Sequence, residues 1–309
     1  MSSLAACGRE ASDEAGLKQI TIAVGIDSTY ASFFVADAKG FFKEQGLDVD
    51  VVQFGSGGEA VQAIAGNQAQ FAGASPMTGT SLQAQNPDLR GLATYMSSDK
   101  YTKIVANTDV NGPADVKKFG VVPGLSLYMA HKYLEANGID PDSVKYVESS
   151  PAELPALTKK GDIDAYALWE PWPTNGEKMG LKILTDTGGF GQPSSQVLMT
   201  DSTYLAENNA VAVDVVEALD EASAYIQDDP DDAASIVSDA TKLDEGDVSD
   251  ALGLIEFGSA GFTDTDYVAY EQQAQFFVDT GVLKSVPEMR SYYLPDWYAQ
   301  NIKTAQSAG

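Results

Sequence analysis

Gly161-Asp162-Ile163-Asp164-Ala165-Tyr166-Ala167 and Gly66-Asn67-Gln68-Ala69-Gln70-Phe71-Ala72 share one pattern, Gly-[Asp/Asn]-x-x-x-[Tyr/Phe]-Ala, 95 residues apart. In each copy the Gly ends a helix and the aromatic-Ala pair begins a strand. Ahead of the first copy, Ile20-Thr21-Ile22-Ala23-Val24 alternates and is β-branched, the pattern of a strand. The loop Asp27-Ser28-Thr29-Tyr30 follows, then a helix from Ala31 to Gln45 stopped by Gly46, then a strand from Asp48 to Phe54. Gly55-Ser56-Gly57-Gly58 opens a short helix, and Phe71–Ala74 is a third strand with Ser75-Pro76 at its exit. The second copy has the same setting. Phe119–Val122 is a strand, Pro123-Gly124-Leu125-Ser126 a loop, Leu127–Asn137 a helix stopped by Gly138, and Val144–Val147 a strand. Alternating strands and helices form βαβ units. A repeat of this length is a duplicated lobe, since solenoid units are about 20–50 residues.

After Trp172 the text changes. Gln196-Val197-Leu198-Met199 is one more strand, and Val211, Val215, Leu219, Ala222 and Ile226 then recur at helical spacing. A single returning strand followed by helices suits a chain that goes back to cover its first lobe. The expected fold is α/β, with two Rossmann-like lobes of mainly parallel sheets joined by a two-strand hinge. The C-terminal helices pack on lobe 1. Residues 1–16 form a terminal tether, 17–103 the first part of lobe 1, 104–195 lobe 2, and 196–309 the return. The crossings fall near Lys103–Ala106 and Ser194–Met199.

Composition narrows the function. The 309 residues carry 19 Lys+Arg against 45 Asp+Glu, a net charge of −26. Nucleic-acid affinity rests on Lys/Arg–phosphate contacts, and anionic lipid repels such a chain, so neither is an expected partner. One Cys excludes an intrachain disulfide and a thiolate cage, and one His excludes a His cluster. His131, inside a helix, reads as a packing residue. The acidic residues are scattered without calcium-loop spacing. No metal site, no cofactor and no catalytic residue is expected, and the composition favours binding over catalysis.

The first residues, Leu4-Ala5-Ala6-Cys7-Gly8, resemble a bacterial lipobox without the apolar stretch ahead of it. Cys7 is then the lipid-bearing residue, and the small and charged residues 8–16 are a tether. No run of 18 apolar residues exists.

Several stretches taken together resemble the substrate-binding proteins of ABC importers in the sulfonate/nitrate/taurine/thiamine-pyrimidine-precursor group. They are Val35-Ala36-Asp37-Ala38-Lys39-Gly40-Phe41-Phe42 with Gly46-Leu47-Asp48-Val49, the Gly-Ser-Gly-Gly loop and its helix, Gly161–Ala165 followed by Trp169-Glu170-Pro171, and Asp229-Pro230 with Ala233-Ala234. The resemblance spans about residues 20–300. It implies a type II periplasmic-binding-protein-like clamp closing on one small molecule. It also implies a membrane permease with a cytoplasmic ATPase as partners, and a monomer held outside the cell membrane by its lipid or free in a periplasm.

Ligands of open α/β sheets bind beyond the carboxyl ends of strands. The candidate ligand-binding residues are therefore Ser28, Thr29 and Tyr30; Ser56, Gly57 and Gly58; Ser75 and Pro76; Gly124, Leu125 and Ser126; and Trp169 with Glu170. Gly57 and Gly58 let backbone N–H groups approach a ligand where a helix opens and its dipole favours an anion. Ser56 and Ser126 equally suit N-capping of their own helices. Tyr30 and Trp169 could sandwich a ligand or pack beneath the loops. Glu170 suits an amine or a ring nitrogen, or shapes its turn. No Arg falls in these loops, so a sulfonate relies on backbone donors and hydroxyls. The leading expectation is a receptor for a small organic anion or zwitterion. A pyrimidine or aromatic-acid receptor is the alternative. A pyrimidine-synthesising enzyme of the same fold is more remote, because its chemistry depends on His and a Cys-rich segment.

Overall fold

The computed structural model describes residues 16–302. The chain opens with β1 (Lys18–Val24), whose Ile20, Ile22 and Val24 enter one apolar cluster while Ala23 enters another on the opposite face. That alternation is the period-2 pleat of a strand buried on both sides. The expected helix to Gln45 is broken in two, α1 (Ala31–Lys39) and α2 (Phe41–Glu44). The break is Gly40, which takes φ 84° and donates its N–H to Ala36 and Asp37 carbonyls, a left-handed cap that only glycine adopts without strain. Next come β2 (Leu47–Gln53), α3 (Gly57–Ala65), β3 (Phe71–Ala74), α4 (Pro76–Gln83) and β4 (Leu89–Ser98).

The second lobe holds β5 (Thr102–Ala106), β6 (Lys118–Val121), α5 (Leu125–Ala136), β7 (Lys145–Glu148), α6 (Leu154–Lys160), β8 (Ala165–Trp169), α7 (Trp172–Lys178) and β9 (Lys182–Asp186). The chain then returns through β10 (Ser194–Asp201), α8 (Ser202–Glu207), α9 (Asn209–Asp228), α10 (Pro230–Thr241), α11 (Glu245–Leu252), β11 (Glu256–Ala260), α12 (Asp264–Asp279), α13 (Met289–Tyr292) and α14 (Trp297–Asn301). The repeated motif does end helices and begin strands, but not identically. In the second copy Gly161 itself takes positive φ (82°), whereas in the first copy Asn67 does (54°).

The first sheet runs β11-β4-β10-β3-β1-β2 and the second β7-β6-β8-β5-β9. The βαβ half of each is parallel, β3-β1-β2 and β7-β6-β8, as the sequence pattern requires. The other half of each is antiparallel, built from strands that enter or leave across the lobe boundary or return late. The crossings occupy residues 99–101 and 187–193, just ahead of the stretches expected from sequence. Strand register extends through those stretches themselves, which belong to β5 and β10. The two crossings hold each other. The Asp99 carbonyl accepts from Gly188 N–H (2.7 Å) and from the Thr187 hydroxyl (3.1 Å). Ser194 pairs with Ser98 where β10 begins.

The returning helices do cover the first lobe. α9 lies along α1, where the Ser32 and Ser223 hydroxyls meet at 3.2 Å in the interior. On the surface, Lys39 joins Asp232 at 2.6 Å beneath the Tyr225 ring. In addition, α12 reaches the second lobe: Phe276 packs edge-on to Tyr128 (5.4 Å) and His131 (5.1 Å) of α5. His131 is stacked on Tyr146 and its pKa is lowered by burial, so it packs between aromatic rings.

A Cβ at Gly188 would lie 2.9 Å from Asp99 Cβ. Gly188→Ala is expected to lower unfolding free energy by about 1 kcal/mol, the low end of overpacking costs. Gly112 sits in extended backbone (φ −176°) with open space around it, so Gly112→Ala is expected to be neutral. Urea denaturation of both variants checks the contrast.

Candidate functional site

The strand exits of the first lobe converge on Tyr30. Its ring lies in a slot between three glycines: a Cβ at Gly25 would meet Tyr30 Cε2 at 2.6 Å, one at Gly57 its hydroxyl at 2.9 Å, and one at Gly73 its Cε1 at 3.2 Å. Tyr30 is only 3% exposed, so it packs beneath the loops and does not lid them. Gly57 serves this ring, a close approach that the sequence assigned to a ligand. Ser28 and Thr29 are also buried.

Above that slot lie two helix starts. Ser56 caps α3 by accepting from Glu59 N–H (3.3 Å), and the Glu59 carboxylate returns to Gly55 N–H (3.0 Å). Ser75 caps α4 by accepting from Thr78 N–H (3.2 Å), with Pro76 at its first turn. The two starts are neighbours: a Cβ on Gly58 would lie 3.7 Å from Ser56 Oγ and 3.8 Å from Thr78 Cγ2. Each Ser satisfies one donor and Pro76 has no N–H, so the terminal donors left at this shared edge are Gly57 and Gly58 N–H of α3 and Met77 N–H of α4, an arrangement that favours negative charge there.

In the second lobe the expectation for Ser126 changes. Its hydroxyl accepts from Val122 N–H (2.9 Å) and donates to the Ala167 carbonyl (2.7 Å), and the residue is 1% exposed. It binds the β6 exit to β8, leaving little to offer a ligand. Gly124 takes φ 92°, which lets Leu125 start α5. Trp169 is half-buried and touches apolar clusters of both lobes. Glu170 is buried with both oxygens engaged: Oε1 meets Lys103 Nζ at 2.5 Å, and Oε2 accepts from Thr174 N–H at 3.1 Å at the start of α7. Glu170 therefore shapes its turn.

Three participants escaped sequence reading. Lys103, on a strand, supplies the cation beside Glu170. Tyr101, in the first crossing, reaches the Glu170 carbonyl (3.1 Å) from one lobe and Asp27 Oδ1 (3.5 Å) from the other. Asp27 caps the turn Ser28–Tyr30, and burial pushes its carboxyl pKa upward against the bonds from Thr29 and Tyr101. Burial likewise raises Tyr30, Tyr95 and Tyr101, keeping these phenols neutral. A strand gives Lys103 no motif, and Tyr101 acquires its role only when the lobes meet. Asp27 had a signal, its place in the loop that follows β1. On the flank, Ser28 and Pro171 share a recess with Leu243, Asp247 and Val248, and Lys178 of α7 pairs with Asp247 of α11 across it. Cys7 lies outside the described residues.

The sequence model of the family described as NMT1/THI5 like matches residues 27–233. The chain is similar to the taurine-binding periplasmic protein of Escherichia coli (strain K12), 27% identical over 91% of this chain and 92% of that protein. Among solved structures it is similar in fold to the periplasmic aliphatic sulphonate binding protein SsuA from Escherichia coli, with TM-score 0.82, 16% identity, and coverage of 92% of this chain and 99% of that one. It is also similar in fold to the periplasmic nitrate-binding protein NrtA from Synechocystis PCC 6803, with TM-score 0.70, 17% identity, and coverage of 92% and 88%.

Ser126→Ala removes both bonds of its hydroxyl and leaves the half-buried Val122 N–H and the buried Ala167 carbonyl short of a partner. The expected cost is about 1–3 kcal/mol of stability, read as a lower urea midpoint. An unchanged midpoint would show that the hydroxyl is not structural.

Proposed function

The chain belongs to the NMT1/THI5-like family, and from that premise we propose that it is a solute-binding protein of an ABC importer acting outside the cytoplasm. It captures a small organic anion or zwitterion of the sulfonate/taurine kind between its lobes. It then passes the solute to a membrane permease driven by a cytoplasmic ATPase. The observation that carries the reading is the end-to-end match to a taurine-binding periplasmic protein, over nine-tenths of both chains. The site agrees with that reading in chemistry: two capped helix starts side by side receive an anion without a bidentate Arg. Trp169, touching both lobes, supplies apolar area that changes environment as the lobes close. Residues 16–98 with 194–302 act as one lobe and 102–186 as the other, with the mutually bonded crossings as hinge. The taurine and aliphatic sulphonate relatives are named as binding proteins, which supports a binding role.

Thermal-shift measurements test this. Taurine, alkanesulfonates, nitrate, pyrimidines and aromatic acids are each added in excess. A ligand present at a hundred times its Kd stabilises by about 2.7 kcal/mol, so a bound sulfonate or taurine is expected to raise Tm clearly. A rise with pyrimidines or aromatic acids alone would shift the assignment to that ligand class, and no rise with any of them would refute the reading. Trp169→Ala is expected to cost at least about 1 kcal/mol of ligand affinity, the scale of aromatic truncation at binding sites. Calorimetry with the ligand found reads it.

We also propose that Cys7 carries the lipid that holds the protein at the outer face of its membrane. Two or three acyl chains give stable anchoring, at about 0.8 kcal/mol per buried CH₂. In the native host, Cys7→Ser is expected to move the protein from the membrane fraction to the soluble one. Retention at the wild-type level would sink the idea.

A further inference from the structure

Asp27 is a carboxylate whose two oxygens have unequal company. Oδ1 accepts from Thr29 N–H (2.8 Å), from the Thr29 hydroxyl (2.5 Å) and from Tyr101 at 3.5 Å. Oδ2 has no protein donor among the described residues. Neither oxygen has a cation: among the described residues no Lys or Arg pairs with Asp27, and Lys103, the cation of this region, is held by Glu170. The other side chains around it are phenols, Tyr30, Tyr95 and Tyr101, which carry no charge. Taking a carboxylate out of water without a countercharge is costly, and proteins pair such groups or use them. Asp27 is half-buried, so the unpaired oxygen is not sealed in the core.

Its position is as telling as its chemistry. Asp27 lies at the carboxyl end of β1, where Tyr101 links it to the Glu170 carbonyl of the other lobe. Its neighbour Tyr30 runs across to Gly57, the first residue of α3. An unpaired acceptor and an anion-favouring edge thus stand on the same rim of the first lobe.

The geometry points to Asp27 Oδ2 as the acceptor for an ammonium group on the ligand. This site would therefore select small amino-bearing zwitterions over the corresponding anions that lack the amine. The inference rests on the solute-binding reading above and assigns its specificity. The ammonium supplies the countercharge the fold withholds from Asp27, and the anionic end of the same molecule faces the helix starts. Glu170, already saturated by Lys103 and Thr174, takes no part in the choice.

Calorimetry with two probes, taurine and ethanesulfonate, tests it, since they differ by one ammonium group. The wild-type protein is expected to bind taurine at least about tenfold more tightly, equivalent to 1.4 kcal/mol. Asp27→Asn keeps an oxygen for Thr29 and removes the charge, and is expected to abolish the preference while leaving ethanesulfonate binding unimpaired. Asp27→Ser, which retains a capping oxygen, is expected to do the same and serves if the Asn variant does not fold. Equal affinity of the wild type for both probes, or a taurine preference that persists in either variant, overturns the inference while the receptor reading stands. Failure to bind either probe overturns the inference, and failure to bind any of the solutes screened above overturns both.

Discussion

The carbonyl of Asp99 takes two hydrogen bonds from the opposite crossing, and the arrangement of the whole molecule depends on that tie. Where the crossings meet decides which strand ends face one another, because each lobe is a rigid sheet with packed helices. With the tie at this height, the exit of β1 at Asp27 and the exit of β8 at Glu170 come within reach of the same residue, Tyr101. The close approach is made possible by Gly188, where a side chain would strike Asp99. Tyr101, two residues beyond Asp99, then has both lobes within reach of one hydroxyl. It carries a single proton, so its contact with Glu170 at 3.1 Å and its longer one with Asp27 at 3.5 Å compete. The shorter bond holds the crossing to its own lobe, and the longer one is free to give way.

Within the first lobe the scarce resource is space around Tyr30. Gly25 after β1, Gly57 at the start of α3 and Gly73 within β3 each give up a side chain so that one ring can lie among them. This explains how loops far apart in sequence are brought to a common edge: the ring fixes their separation as a core residue fixes that of two helices. It also places the starts of α3 and α4 side by side. Neither cap is unusual, and the adjacency is what concentrates partial positive charge at one place.

The electrostatics divide into a surface part and an interior part. The net charge of −26 belongs mostly to exposed carboxylates, which are solvated and screened. In the interior, Glu170 is neutralised by Lys103 and by the start of α7, an arrangement that tolerates burial because both oxygens are engaged. Asp27 lacks such a partner, and its raised pKa records the cost of desolvation. An excess of acidic groups outside therefore says nothing about charge balance in the cleft, which rests on three residues.

The sequence by itself determined the βαβ halves of both sheets, the helix-ending glycines and the duplicated motif. These are local, since periodicity and left-handed caps act over a few residues. It also determined which loops leave the carboxyl ends of strands, and Ser56 and Ser75 do stand there as caps. The antiparallel halves were not legible, because β4, β5, β9 and β11 find their partners far along the chain. The same limit applies to function at single residues. Ser126 and Gly57 fit a ligand loop by type, yet the tertiary structure gives one hydroxyl to two backbone groups and the missing Cβ of the other to a tyrosine ring. Lys103 had no motif at all, and only the pairing of β5 with β8 brings it to Glu170. A residue's type and neighbours fix what it can do, but hydrogen-bond capacity and space are each used once, and only the folded chain decides which partner uses them.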